Sequence, residues 1–122
     1  MYIDFKVYEN SKVEQISEKV DILQGESNMK ILRFTLPETI RSYSIDNYTQ
    51  EIKFKSEKGE VLRFYLTNGE IPLKSEITRF KSVLIQLVLT NNKDEVEPIV
   101  WRTIPFEYDF IKSINAVDTI GD

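Results

Sequence analysis

Residues 79–90 read RFKSVLIQLVLT, and the spacing of their apolar side chains decides the fold class. Val83, Ile85, Leu87 and Leu89 fall on one side of an alternating pattern, with Leu84, Gln86 and Val88 on the other. A period of two belongs to a β-strand, and apolar residues on both sides suit a central strand covered on both faces. Working outward from this run, the same period recurs. In KILRFTLP (30–37), Leu32, Phe34 and Leu36 alternate with Ile31, Arg33 and Thr35, and Pro37 ends the run because it lacks a ladder N–H. In EIKFKS (51–56), Ile52 and Phe54 alternate with Lys53 and Lys55, the pattern of a strand with one wet face. The opening YIDFKVY (2–8) alternates Ile3, Phe5 and Val7 with Tyr2, Asp4, Lys6 and Tyr8.

Turn chemistry connects these runs. Lys58-Gly59 and Asn68-Gly69 predict tight turns, the second because both central residues tolerate positive φ. Three strands in meander order are therefore expected near 49–56, 60–67 and 70–74. The polar NNKDEVE (91–97) reads as a further hairpin loop between two β-prone runs. Residues 11–25, SKVEQISEKVDILQG, carry two patterns at once. Ser11 and Glu14 form a capping box, with Val13, Ile16 and Val20 at helical spacing and Gly25 as a stop. Val20 and Ile22 also alternate with Asp21, and a strand over 18–24 is the preferred expectation, with 11–16 an irregular or one-turn lead-in.

PIVWRTIPFEYDF (98–110) holds the only tryptophan and two of the four prolines. Pro105 cannot donate to a ladder, so the chain must bend at Ile104-Pro105; a strand that kinks there and changes sheet is expected. Ile99 and Trp101 share a face before the bend, and Phe106, Tyr108 and Phe110 share one after it. Trp101 then closes one end of the core. The rival reading makes Trp101, with Tyr65, Tyr108 or Tyr48, a stacking platform for a sugar or a base.

Short strands with frequent turn signals and no long amphipathic helix predict an all-β protein. The expected architecture is an antiparallel β-sandwich, immunoglobulin-like or jelly-roll-like, of about seven to nine strands with little or no helix. A chain of 122 residues, 41% hydrophobic and 30% charged, suits one domain, placed at residues 1–112, with a C-terminal tail at 113–122. In that tail region Ile111, Ile114, Val117 and Ile120 recur every third residue. The stripe either folds back on the sandwich or docks on a neighbouring subunit, which makes Ile114, Val117 and Ile120 a candidate partner interface.

Sixteen basic against twenty acidic residues give a net charge of −4, and the basic residues are scattered singly, which argues against a nucleic-acid footprint. No apolar run reaches the roughly 18 residues of a membrane span, and the first ten residues carry acids where a signal peptide would be basic and then apolar. A soluble chain, not exported by the standard route and not inserted in a membrane, is expected. Cysteine and histidine are absent, so thiolate sites, disulfides and imidazole bases are unavailable. No Gly-x-Ser-x-Gly elbow or glycine-rich phosphate loop occurs. Asp94, Glu95 and Glu97 crowd one loop, but their spacing matches no calcium loop and reads as a solvated hairpin tip. Glu51, Glu57 and Glu60 read as exposed strand positions. No catalytic residue, cofactor or metal is expected.

Two segments carry a family resemblance. KVDILQGESNMKILRFTLPE (19–38) contains Gln24, Gly25, Glu26 and Pro37; VLIQLVLTNNKDEVEPIVWRTIPFEYDFIKSIN (83–115) contains Trp101, Thr103, Pro105 and Phe106. Together they resemble the small β-sandwich baseplate and tail-accessory proteins of tailed bacteriophages and prophages of Gram-positive hosts. They are also similar to the N-terminal domain of baseplate upper proteins, in which helical or receptor-facing parts follow; this chain departs from that pattern by ending after the sandwich. The resemblance implies a non-enzymatic structural protein of the virion, homo-oligomeric and packed against other tail or baseplate proteins. A carbohydrate-binding module recognising host cell-wall saccharide is the alternative expectation.

Overall fold

The alternation along residues 82–91 becomes the middle of the larger of two packed sheets. The computed structural model describes residues 1–92 and 97–113. In chain order its strands are β1 (Tyr2–Val7), β2 (Val13–Gln15), β3 (Ile31–Thr35), β4 (Thr39–Ile40), β5 (Tyr43–Ser44), β6 (Thr49–Ser56), β7 (Val61–Tyr65), β8 (Glu70–Pro72), β9 (Ser82–Asn91), β10 (Ile99–Arg102) and β11 (Phe106–Asp109). A 3₁₀ turn covers Ile45–Asn47, and one helical turn, α1, covers Ser75–Thr78. The all-β sandwich expected from the sequence is present. Its eleven strands exceed the expected number because β2, β4 and β5 are only two or three residues long, too short for alternation to mark. No helix among the described residues is long and apolar enough to cross a membrane.

The smaller sheet has the order β2-β1-β3-β8, and the larger one runs β7-β6-β9 with both β10 and β11 on the far side of β9. One ladder, β1 with β3, is parallel. The inner faces meet through Ile3, Phe5, Leu32 and Phe34 from one sheet and Ile52, Phe54, Ile85 and Leu87 from the other, all buried. Phe5 sits at the centre, its ring centre 5.0 Å from that of Phe34 and 5.3 Å from that of Phe106. Each such side chain contributes about 1.5–3 kcal/mol by leaving water.

The structure corrects four expectations. First, residues 18–24 form no strand, and the strand lies at Val13–Gln15, antiparallel to β1 with Val7 opposite Val13. Ser11 adopts φ 73°, so the chain reverses between Tyr8 and Lys12, and the capping box starts no helix. Ile22 is nevertheless buried, because residues 22–24 clasp Ile111: the Ile111 N–H donates to the Ile22 carbonyl and the Gln24 N–H to the Ile111 carbonyl, each at 2.8 Å.

Second, the meander is broken. Asn68 (φ 53°) and Gly69 (φ 75°) make the expected tight turn, closed by reciprocal 3.0 Å bonds between Thr67 and Glu70. β8 then leaves β7 and pairs with β3 in the other sheet. Gly69 is required there, since a Cβ would lie 2.7 Å from the Phe34 carbonyl oxygen. Third, β9 is covered only in part on its outer face: Val88 is buried, Gln86 half-buried and Leu84 exposed.

Fourth, residues 98–110 bend without changing sheet. Trp101 lies opposite Leu89, and Phe106 lies opposite Ile85 on the same side of β9. Between the pairs Arg102–Val88 and Phe106–Ile85, three residues face two, which is a one-residue bulge. Thr103 secures it. Its N–H donates to the Leu87 carbonyl (3.1 Å), its hydroxyl accepts from the Leu87 N–H (2.9 Å), and its carbonyl accepts from the Gln86 amide (3.0 Å). The Ile104 N–H turns outward to the Ser11 carbonyl at 2.8 Å, leaving Pro105 where no donor is needed.

Candidate functional site

The three aromatics of the proposed platform do not meet. Trp101 points inward, half-buried, and packs against both apolar clusters of the interior. Tyr108 also belongs to the inner side: its ring is edge-on to Phe5, and its hydroxyl lies 3.4 Å from the Val20 carbonyl. Tyr65 is 68% exposed and sits on β7, at the opposite edge of the sheet. Tyr48, the fourth aromatic considered, is buried and donates its hydroxyl to the Ile40 carbonyl at 2.6 Å. Ile114, Val117 and Ile120, the candidate partner interface, lie outside the described residues, as do Asp94 and Glu95; Glu97 is exposed.

Two shallow grooves mark the surface. One, of about 370 Å³, lies beside Phe34, Tyr48, Gln50, Leu66 and Gly69, with Asp46 as its acidic residue. The other, of about 400 Å³, separates residues 15–22 from β11 and brings Lys19, Asp21, Glu107 and Asp109 around Tyr108. Burial pushes the Tyr108 phenol above its usual range, and the nearby Asp21 charge adds to the effect, so the hydroxyl stays protonated. Among the described residues no three acidic side chains are grouped to hold a metal ion.

The outer faces of the two sheets differ in charge arrangement. On the smaller sheet charges alternate across strands: Lys6 lies opposite Glu14, and Arg33 has Asp4 on one side and Glu70 on the other. The Arg33 guanidinium pairs with both Asp4 carboxylate oxygens and stands 3.9 Å from the centre of the Tyr2 ring. The hydrogen bond from Arg33 holds the Asp4 carboxyl below its usual pKa. On the larger sheet like charges adjoin. Lys53 on β6 is directly opposite Arg63 on β7, and Lys55 follows on the same face, opposite Val61. Among the described residues the salt bridges are Glu26–Lys30, Asp4–Arg33 and Glu60–Arg79, so Lys53, Lys55 and Arg63 stand without one. Cations directly opposite one another disfavour a strand pair slightly, and the three, with Glu51 the one carboxylate beside them on these two strands' shared face, leave a local excess of positive charge on a chain whose net charge is negative. This cluster was hidden in the sequence, where Lys53 and Lys55 lie in one run and Arg63 in the next; only the register of β6 with β7 joins them.

The two segments that carry the family resemblance touch where residues 22–24 meet Ile111. Leu23, beside Gln24 in the first segment, bridges Ile111 in the second. The buried Gln24 side chain donates to the Arg79 carbonyl at 3.0 Å, and Gly25 adopts φ 88°. No protein-family model matches the chain, and a comparison with curated proteins finds no match.

Proposed function

We propose that the protein is a structural component of a phage or prophage virion, in the tail or baseplate, where it acts as a non-enzymatic, oligomeric assembly adaptor. The observation that carries this reading is the clasp between residues 22–24 and Ile111. Two segments far apart in sequence, the ones that resemble baseplate and tail-accessory proteins, are joined by paired backbone hydrogen bonds into one unit. Their distinctive residues do structural work: Gln24 ties down the turn after α1, Thr103 holds the bulge, and Pro105 ends a ladder. Beside the clasp, Leu23 and Ile111 are exposed neighbours at the point where the chain runs on toward Ile114, Val117 and Ile120. An apolar pair leading into an apolar stripe suits contact with further copies or with other tail proteins.

Light scattering and sedimentation test the reading. Discrete multimers are expected, and they should dissociate when residues 113–122 are removed. A protein that stays monomeric at high concentration and binds no tail protein overturns it. Titration with Gram-positive cell-wall polysaccharide tests the alternative; saturable binding would move the function to saccharide recognition.

A further inference from the structure

Among the described residues, β7 is the longest uninterrupted strand edge in either sheet. The edges of the smaller sheet, β2 and β8, are three residues each, and β8 ends in Pro72. The far edge of the larger sheet is broken by the bulge at Thr103 and by Pro105. β7 has five residues, no proline and no bulge. Its hydrogen-bond phase is set from both ends: the Ser56 N–H donates to the Glu60 carbonyl (2.8 Å) and the Leu66 N–H to the Gln50 carbonyl (3.0 Å). In an antiparallel ladder bonded positions alternate, so Leu62 and Phe64 pair with β6 while Val61, Arg63 and Tyr65 turn their N–H and C=O groups away from the sheet. Those same three residues carry their side chains on the outer face, with Val61 48% and Tyr65 68% exposed. On the inner side Leu62 and Phe64 are only half-buried.

We infer that β7 is an acceptor edge for an extended acidic segment of another protein, which adds to the larger sheet as a further strand and places a carboxylate against the Arg63, Lys53 and Lys55 cluster. The inference rests on the adaptor reading for its setting and names the chemistry of the partner. Main-chain bonds to Val61, Arg63 and Tyr65 would supply affinity, and alternate side chains would supply specificity. Outward-facing positions want an apolar residue opposite Val61, an acid opposite Arg63 and an apolar residue opposite Tyr65. Inward-facing positions want apolar residues to cover Leu62 and Phe64. A second copy fits less well, because symmetric antiparallel pairing of β7 with itself sets Arg63 against its own counterpart with Lys53 behind it. A flexible polyanion would satisfy the charges but leave the outward backbone groups and the half-buried Leu62 and Phe64 unanswered.

The test uses the whole protein and a capped synthetic peptide with the core Val-Leu-Glu-Leu-Val, followed by calorimetry and by amide shifts along β7. Binding is expected to weaken about tenfold when the central Glu of the peptide becomes Lys, and Arg63→Glu should reverse that preference. Val61→Pro keeps the β6 ladder, since the Val61 N–H points outward, and should weaken binding by removing one edge donor. Binding indifferent to both substitutions overturns the inference. So does tighter binding of inorganic polyphosphate that Val61→Pro leaves unchanged, and so does a dimer abolished by Val61→Pro, which would assign the edge to a second copy. Light scattering on the same samples keeps the two readings apart: multimers that ignore the peptide sink the edge assignment alone, whereas monomers that bind it sink self-assembly alone.

Discussion

The two edges of the larger sheet are built on opposite plans. On the β10–β11 side, an extra residue at Thr103–Pro105 splits the strand, the Ile104 N–H is taken by Ser11, and residues 22–24 clasp the chain just beyond β11. On the β7 side, among the described residues, there is no bulge, no proline and no covering segment, and only a positive charge at Arg63 guards the strand. An open edge invites another strand, and natural sheets blunt such edges with bulges, proline or charge. One edge here uses two of those devices and the other relies on a single cation, which deters like-charged strands and admits acidic ones. The difference shows that edge protection is allotted locally and not spread over the fold.

The largest expected effect comes from the residue that holds β7 to the rest of the sheet. Phe54 is buried on β6, opposite Leu62 on one side and Ile85 on the other, and its ring is edge-on to Phe64 with centres 6.0 Å apart. Phe54→Ala should cost about 3–5 kcal/mol, read from the urea midpoint. The loss should be uneven. Amide exchange at Leu62 and Phe64 should accelerate more than at Trp101 or Tyr108, because the deleted ring spans β6 to β7; equal acceleration at both edges would erase the contrast drawn above.

A smaller effect is expected at the closed edge. Thr103→Val keeps the shape of the side chain but removes the oxygen that accepts from the Leu87 N–H, in a residue that is only 2% exposed. A buried donor left unpaired costs about 1–3 kcal/mol. The same variant should speed exchange at Leu87 and at the neighbouring bulge while leaving β7 unchanged. Unaltered stability would mean that the bulge is held by its backbone alone.

What was legible in the sequence follows from what alternation records. β3, β6 and β9 are long enough for a period of two to show, and Pro37 and Pro105 mark where ladders stop, so the fold class could be read directly. Alternation reports which residues share a face, but not which strand lies beside them. Asn68-Gly69 specifies a reversal yet says nothing of which sheet receives β8, and Pro105 demands a break without showing that both halves stay on β9. β2 was missed because Ser11, neither glycine nor asparagine, makes the left-handed turn. The basic cluster failed to show for the same reason of register: Lys53 and Lys55 are separated from Arg63 by a turn, and pairing makes them neighbours. The aromatic platform erred in the other direction, since Trp101, Tyr108 and Tyr65 are all β-strand residues but fall on opposite edges.

The smallest effect should come from the smaller sheet, whose outer charges are already matched. Asp4 is held below its usual carboxylate value of 3.8 chiefly by the hydrogen bond from Arg33. A lowered folded-state pKa means that the pair's contribution is fully present above about that value and fades as the pH falls below it through the folded one. Exposed pairs of this kind contribute little, so Asp4→Asn should lower the melting temperature only slightly at pH 7. The gap between variant and parent should close on going to acid and should shrink with added salt. Arg63→Ala on the larger sheet should do the opposite at neutral pH, raising stability slightly by relieving Lys53, since Arg63 has no salt bridge among the described residues to lose. If both substitutions moved stability the same way, the smaller sheet's outer face would not be the balanced one, and the positive face would have lost its reason to attract a partner.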